Sequence, residues 1–385
     1  PRLAVREAMA LAGEEARAEL KAERLRQWGA GPRVEFFAGA AWVLPSLAGL
    51  MLAGLIAWMF GVTAALAPVI LLALILNYAL RHPVDRVMAA LDAPALDLRV
   101  LAHLVERVRD EKFESAKLRG IAERLPPAAV IRSLETQIAA FDQSRNQLFL
   151  PLAMVLLWRP QWARAIEQWR QQHGAAIGDW LDAVGEFEAL SSLASLRYEL
   201  AEASCYPELT AAGGYEAEGL WHVLLATERA VENDVTLGGS RQLLLVSGSN
   251  MSGKSTLMRA LGLSVVLAFA GGPVAARRLR LGPCRLGASI RVNDSVMEGR
   301  SRFFAEISRL GAIVKAAEGA PPVLFLLDEL LSGTNSHDRR QGADGLLRGL
   351  LRRGAFGIAT THDLALIEIA RELPEAANFH FEDTY

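Results

Sequence analysis

The stretch QLLLVSGSNMSGKST, residues 242–256, decides how the carboxy-terminal half of the chain folds. Its apolar opening reads as a buried strand, and helical apolar spacing resumes at Lys254. The glycines between them suit neither a strand nor a helix interior, so the middle is a tight loop joining the two. Gly248, Ser249, Asn250, Met251, Ser252, Gly253, Lys254 and Ser255 satisfy GxxxxGK[ST] in the strand–loop–helix setting that this motif requires. Glycines let backbone N–H groups curl round phosphate oxygens, and the following helix turns its positive end towards them. Lys254 is expected to reach the β- and γ-phosphates, and Ser255 to offer its hydroxyl to Mg²⁺.

Further along, VLFLLDELLSGTN (residues 323–335) places Asp328 at the end of an apolar strand, where an acid can hold the Mg²⁺ shell. Glu329, next in line, is positioned to orient or deprotonate an attacking water, which predicts hydrolysis as the outcome. A third strand, GIATTH (residues 357–362), ends at His362, which can donate a hydrogen bond to a γ-phosphate. Between these elements Ser301 precedes an amphipathic helix carrying Phe303, Phe304, Ile307 and Leu310 on one side. A serine there caps the helix, and the residues alone do not say whether it also meets an anion. Short apolar runs alternating with helical segments from about residue 207 predict an α/β domain with a largely parallel sheet.

Upstream, residues 84 to about 205 read as almost wholly helical, broken by LPP at 125–127. LFLPLAMVLLW (residues 148–158) is too short to span a bilayer and is assigned to a buried bundle core. Trp158, Trp162, Trp169 and Trp180 are assigned to core packing, and His173 to a helix surface. Residues 1–30 are rich in Ala, Glu, Arg and Leu and read as a solvated, charged helix ending at the GAGP breaker, residues 29–32.

From Phe36 to Leu80, 45 consecutive residues lack Asp, Glu, Lys and Arg. A spanning helix needs roughly 20 apolar residues, so the run holds two, with the turn near Gly61. Trp42, Trp58 and Tyr78 lie near the predicted ends, at headgroup level. Lys21, Arg24, Arg26 and Arg33 precede the run and Arg81 and Arg86 follow it, so the positive-inside bias puts both flanks in the cytoplasm. A buried helical pair in a soluble domain would need more apolar protein around it than the rest of the chain offers. The expected location is the inner membrane, with the α/β domain in the cytoplasm.

The 385 residues carry 41 basic and 43 acidic side chains, so no overall charge excess recruits nucleic acid. Arg277, Arg278 and Arg280 form a small basic cluster, read as a solvated face before a DNA contact. Cys205 and Cys284 supply neither a disulfide framework nor a zinc site. Pro1 in place of Met, and the ending NFHFEDTY, are read as internal points of a longer product.

GSNMSGKSTLMRALGL, GRSRFFAEISRL, LFLLDELLSGTNSHDR and ATTHDLAL together resemble the ATPase domain of the MutS family, a branch of the ABC-type ATPases. The resemblance covers about residues 207–385 well. FDQSRN, WLDAVGEFEALSSLASLRYE and CYPEL resemble the family's core or lever segment more loosely. It implies an α/β P-loop domain of ABC type binding ATP and Mg²⁺ between two copies of the chain. Gly248, Asn250, Gly253, Lys254, Ser255 and Thr256 would then act with Asp328, Glu329 and His362 of one copy and Ser301 of the other. Ser332 to Asp338 would let the two sites sense each other. The expected organisation is a charged helix (1–35), a transmembrane hairpin (36–81), a helical core or lever (82–206) and the ATPase domain (207–385). The family's mismatch-reading domain, with its Phe-x-Glu, has no counterpart, and Phe113-Glu114-Ser115 is not that pattern. Mismatch recognition is therefore not expected. The functional expectation is a membrane-anchored, homodimeric ATPase that moves a helical lever and acts on DNA. The alternative is one that gates a protein partner or membrane process without DNA. Transport is disfavoured because the apolar run offers a substrate no charged residue.

Overall fold

A computed structural model of the chain describes residues 21–62, 66–91, 95–249, 252–290, 302–331, 335–361 and 364–381. The chain divides into two compact units, residues 1–192 and 193–385.

The first unit is helical: α1 (Ala22–Ala30), α2 (Ala40–Met59), α3 (Leu66–Ala79), α4 (Arg81–Leu91), α5 (Ala95–Asp110), α6 (Ala116–Arg124), α7 (Ala128–Gln143), α8 (Leu150–Val155), α9 (Trp158–His173) and the start of α10 (Ile177–Leu200). The predicted breaks fall where proline or glycine ends the pattern. α1 stops in GAGP, and LPP separates α6 from α7. The apolar spacing of α4 to α7 gives one core, with Leu91, Leu98, Leu101, Val105, Ile121, Ile131, Leu134 and Phe141 buried. Trp169 and Trp180 sit in that core, and Trp28 stacks on Trp169 with centroids 6.2 Å apart. The core assignment thus holds for Trp169 and Trp180, while Trp162 packs against that core half-buried and Trp158 is half-buried. His173 is half-buried rather than on the open surface, its ring 5.0 Å from that of Trp169.

Two readings need correction here. The described part of the first helix is not simply solvated, because α1 buries Leu25 and Trp28 in the core. Nor is LFLPLAMVLLW core: Leu148, Leu150, Leu152 and Met154 are exposed, while Ala153 and Leu157 are buried. The charge-free run folds back on itself at Gly61, as the sequence predicts. Among the described residues one helix, α2, is long and apolar enough to cross a membrane. The stretch Ala67–Ala79 continues into Arg81–Leu91 through a 53° bend. At 1.5 Å per residue α2 is about 30 Å long and α3 about 21 Å, so the two arms are unequal.

The second unit is α/β. Strands β1 (Glu208–Leu209), β2 (Tyr215–Leu220), β3 (Asn233–Leu237) and β5 (Arg278–Leu281) form a sheet in the order β1-β5-β2-β3. Strands β4 (Leu243–Gly248), β6 (Arg285–Ser289), β7 (Val323–Leu327), β8 (Phe356–Thr360) and β9 (Ala376–Phe381) form the other, all parallel, in the order β6-β7-β8-β4-β9. Helices α11 (Lys254–Phe269), α12 (Arg302–Ala316), α13 (Ser336–Leu351) and α14 (Leu364–Glu372) complete the unit. β7 and β8 are buried at every residue, as a parallel strand covered on both faces must be. The order puts the ends of β4, β8 and β7 side by side, which builds the site.

Candidate functional site

β4 ends at Gly248, and α11 begins at Lys254 with Gly253 as its N-cap at φ 97°. Gly248 has φ 149°, and a Cβ there would meet the Phe381 carbonyl oxygen at 2.6 Å. Both positions therefore demand glycine. Lys254 is buried, and its Nζ donates to the Gly248 carbonyl at 2.8 Å and to the Ser249 carbonyl. Its ammonium thus lies across the mouth of the loop. The Ser252 hydroxyl closes the turn by donating to the Ser249 carbonyl at 3.0 Å.

The neighbouring strand ends supply the acids. Ser255 Oγ, in the first turn of α11, donates to Asp328 Oδ1 at 3.1 Å. Thr360 Oγ1, from the end of β8, donates to the same oxygen at 2.7 Å. That hydroxyl also accepts the backbone N–H of Glu329 at 2.9 Å. The Asp328 N–H is anchored by the Ser289 carbonyl of β6 at 2.9 Å. Glu329 itself is exposed and has φ +50°, a conformation uncommon outside glycine. Leu331 repeats this at φ +54°, and its N–H donates to the buried carboxylate of Glu306 at 2.8 Å. Strained backbone held by specific bonds on both sides is a recurring property of functional loops.

The structure therefore brings Gly248, Ser249, Ser252, Gly253, Lys254, Ser255, Asp328 and Glu329 to adjoining strand ends, with Thr256 in the same first turn of α11. Asn250, Met251, Ser301 and His362 lie outside the described residues, as do Ser332, Gly333 and Thr334. Asn335 caps α13, accepting the Asp338 N–H at 2.9 Å. Sequence reasoning missed Thr360 and Glu306. Thr360 lay in the quoted GIATTH strand, where its position beside the Asp-Glu strand was a usable signal. Glu306 gave none, because nothing local to its helix marks it as buried.

The geometry adds detail to two further readings. The apolar stripe on α12 is divided: Phe303, Phe304 and Ile307 are exposed, while Leu310 is buried together with Glu306 and Ile313. The arginine cluster is matched by acids. Arg277 lies near Glu232 and Asp234, Arg278 near Glu208 and Glu218, and Arg280 near Glu208 and Glu216. Both cysteines are free, and burial pushes the Cys284 thiol up to about 11, so it stays protonated at neutral pH.

Residues 244–384 match the family model of MutS domain V. Over this stretch the chain is similar to the MutS family. Over 205 residues it is 36% identical to a DNA mismatch repair protein MutS of Natronomonas pharaonis. That alignment covers 52% of this chain but only 23% of the relative. The MutS match runs from β4 to the residue before Tyr385, so it holds the loop, both acids and the Thr360 bridge.

Proposed function

We propose that this chain is a membrane-anchored MutS-like ATPase that binds and hydrolyses ATP in a site completed by a second copy. The observation that carries this reading is the cluster at the strand ends, where the Lys254 loop, Ser255, Asp328, Thr360 and Glu329 are joined by hydrogen bonds. On ATP binding the Lys254 ammonium exchanges loop carbonyls for β- and γ-phosphate oxygens, and loop N–H groups take the remaining ones. The hydroxyl of Ser255 and the carboxylate of Asp328 already converge and suit a hard cation, so they would hold Mg²⁺. When bound, Mg²⁺ supplies positive charge against the negative charge spread over the phosphoryl oxygens. Glu329 orients the attacking water and accepts its proton, and its backbone is held in place by the hydroxyl of Thr360. In this reading His362 contacts the γ-phosphate, Ser301 approaches from the other copy, and nucleotide state moves the helical segment.

The exposed face of Phe303, Phe304 and Ile307, next to Ser301 in sequence, supports association with a second copy. Anchoring is supported by α2 and by the exposed apolar residues of α2 and α3. In this reading the basic flanks of the hairpin, Arg24, Arg26, Arg33, Arg81 and Arg86, favour the cytoplasmic side for the ATPase unit. An action on DNA is supported by the mismatch-repair relative. A second reading, gating of a protein partner without DNA, is favoured by the acids that match Arg277, Arg278 and Arg280.

Lys254→Ala and Glu329→Gln are both expected to abolish ATP turnover. Only Glu329→Gln is expected to accumulate an ATP-bound dimer in size-exclusion chromatography. A Glu329→Gln chain that neither turns over nor dimerises with ATP removes Glu329 from the role of base. Fluorescence polarisation against duplex, branched and single-stranded DNA separates the two outputs, because phosphate contacts are salt-dependent. No binding at low salt, with and without ATP, excludes the DNA reading.

A further inference from the structure

α8 and the turns on either side of it are not used by any part of the site. Residues 146–158, NQLFLPLAMVLLW, form a second charge-free run, bounded by Arg145 and Arg159. Beside Asn146, Gln147 and Pro151 it exposes four large apolar side chains: Leu148 at 93%, with Leu150, Leu152 and Met154 each more than a third exposed. Its buried side is seated on the helical hairpin. Leu157 packs in one cluster with Ala40, Leu44, Met51, Ala73 and Leu80, and Val155 lies against it. Asn77 Nδ2 of α3 donates to the Met154 carbonyl at 3.0 Å, which fixes the depth of α8 beside the last turn of α3. That end of the hairpin carries exposed Trp42 and Tyr78, and the Arg81 guanidinium lies 4.1 Å from the centroid of the Tyr78 ring.

The turn that seats α8 is held against its own preference. Leu157 has φ +49°, a left-handed conformation that a leucine adopts only under constraint, and it is fully buried. Trp158 Nε1 donates to the Ala140 carbonyl at 2.6 Å, and Gln161 Nε2 donates to the Leu156 carbonyl at 2.6 Å. These bonds tie both sides of the turn to the helical unit. The result is a short apolar projection aligned with the aromatic and cationic end of the hairpin, where amphipathic rings and arginines favour headgroups.

We propose that residues 146–158 are a third membrane element, a wedge whose Leu148, Leu150, Leu152 and Met154 insert into the headgroup–acyl boundary of the same bilayer the hairpin enters. The proposal rests on the membrane reading of that hairpin. It also gives the hairpin's unequal arms a companion at their polar end. Continuity decides the occupant, since the wedge's exposed face and those of α2 and α3 belong to elements packed on one another at the same level.

The test uses the full chain in lipid nanodiscs, with Cys205→Ser and Cys284→Ala, and a single environment-sensitive fluorophore on Leu148→Cys, Leu152→Cys or Leu50→Cys. Position 50 reports on α2 and is 65% exposed. Blue-shifted emission at 148 and 152, with loss of most of it to lipids quenching near the headgroup, is the expected result. Loss of emission at 50 with water-like emission at 148 and 152 overturns the wedge and leaves the membrane reading standing. Blue-shifted emission at 148 and 152 that lipid quenchers do not touch assigns the surface to a protein and also overturns it. No lipid quenching at any of the three positions overturns the membrane reading and the wedge with it.

Discussion

Thr360 joins two proposed roles through one hydroxyl. It donates to Asp328 and accepts from the N–H of Glu329, so the proposed metal ligand and the proposed base are set by the same atom. Thr360→Val keeps the shape and removes both bonds. It is expected to cost about 1–3 kcal/mol, because a charge-assisted bond is lost and a backbone donor is left without its partner. Urea unfolding would show this as a lower midpoint at an unchanged slope. ATP turnover should fall further than ATP affinity, since Lys254 and the loop glycines are untouched. Glu306→Gln acts one step away. Its carboxylate holds the N–H of Leu331, which sits at φ +54°, and weakening that bond loosens the loop carrying Glu329. Turnover is expected to drop several-fold while nucleotide binding persists, and equal losses in both would make Glu306 merely structural. At this scale the loop and the Asp-Glu pair were legible because motif and strand end coincide in the sequence. Thr360 and Glu306 were not assigned, because their roles depend on partners 25 to 32 residues away.

Elements were legible where the signal was local and illegible where it depended on a distant surface. Proline and glycine placed the breaks after α1 and α6 correctly, and alternating short apolar runs gave a parallel sheet. The docking of α1 was hidden, because a short charged helix shows its buried Leu25 and Trp28 only against a partner far along the chain. That partner includes Arg170 of α9, which donates to the carbonyls of Trp28, Gly31 and Pro32 at 3.1, 2.8 and 2.7 Å. Glu167 neutralises it, with Oε1 2.8 Å from the guanidinium, and both side chains are buried. Burial opposes the Glu167 charge, but hydrogen bonds from Arg170, Gln171 and the Val34 N–H outweigh it and hold its pKa below 4.5. A pKa lowered by folding contributes stability that is complete above 4.5 and is lost as pH falls through the folded value. Glu167→Ala leaves a buried, uncompensated guanidinium and is expected to cost about 3–5 kcal/mol at neutral pH. Circular dichroism melts descending in pH should show the wild-type helical unit losing stability in acid, with that limb reduced in Glu167→Gln. A limb of equal size in both would assign the acid sensitivity to other carboxylates.

At the scale of the whole molecule, the two proposed contacts use different exposed apolar surfaces and can be broken separately. Leu50 and Leu74 are 65% and 53% exposed on α2 and α3, outside the hairpin's own packing. Leu50→Asp with Leu74→Asp should therefore leave the helix pair intact. Each aspartate adds about 2.5–3.5 kcal/mol to insertion near the bilayer centre. The double variant is expected to leave the alkali-resistant membrane fraction, and its retention there would refute the hairpin as an anchor. Phe304 is 54% exposed on α12, on the apolar side of that amphipathic helix. Its exposure makes sense if a second copy covers it. In a Glu329→Gln background, Phe304→Asp should weaken the ATP-trapped dimer by about 2 kcal/mol, roughly thirtyfold in dissociation constant, if this face is central to the contact. Analytical ultracentrifugation with ATP reads that shift directly. The membrane anchor should be unaffected by this change, just as the hairpin aspartates should leave the dimer in place. A dimer of unchanged affinity would move the second copy to another face and take the trans role of Ser301 with it.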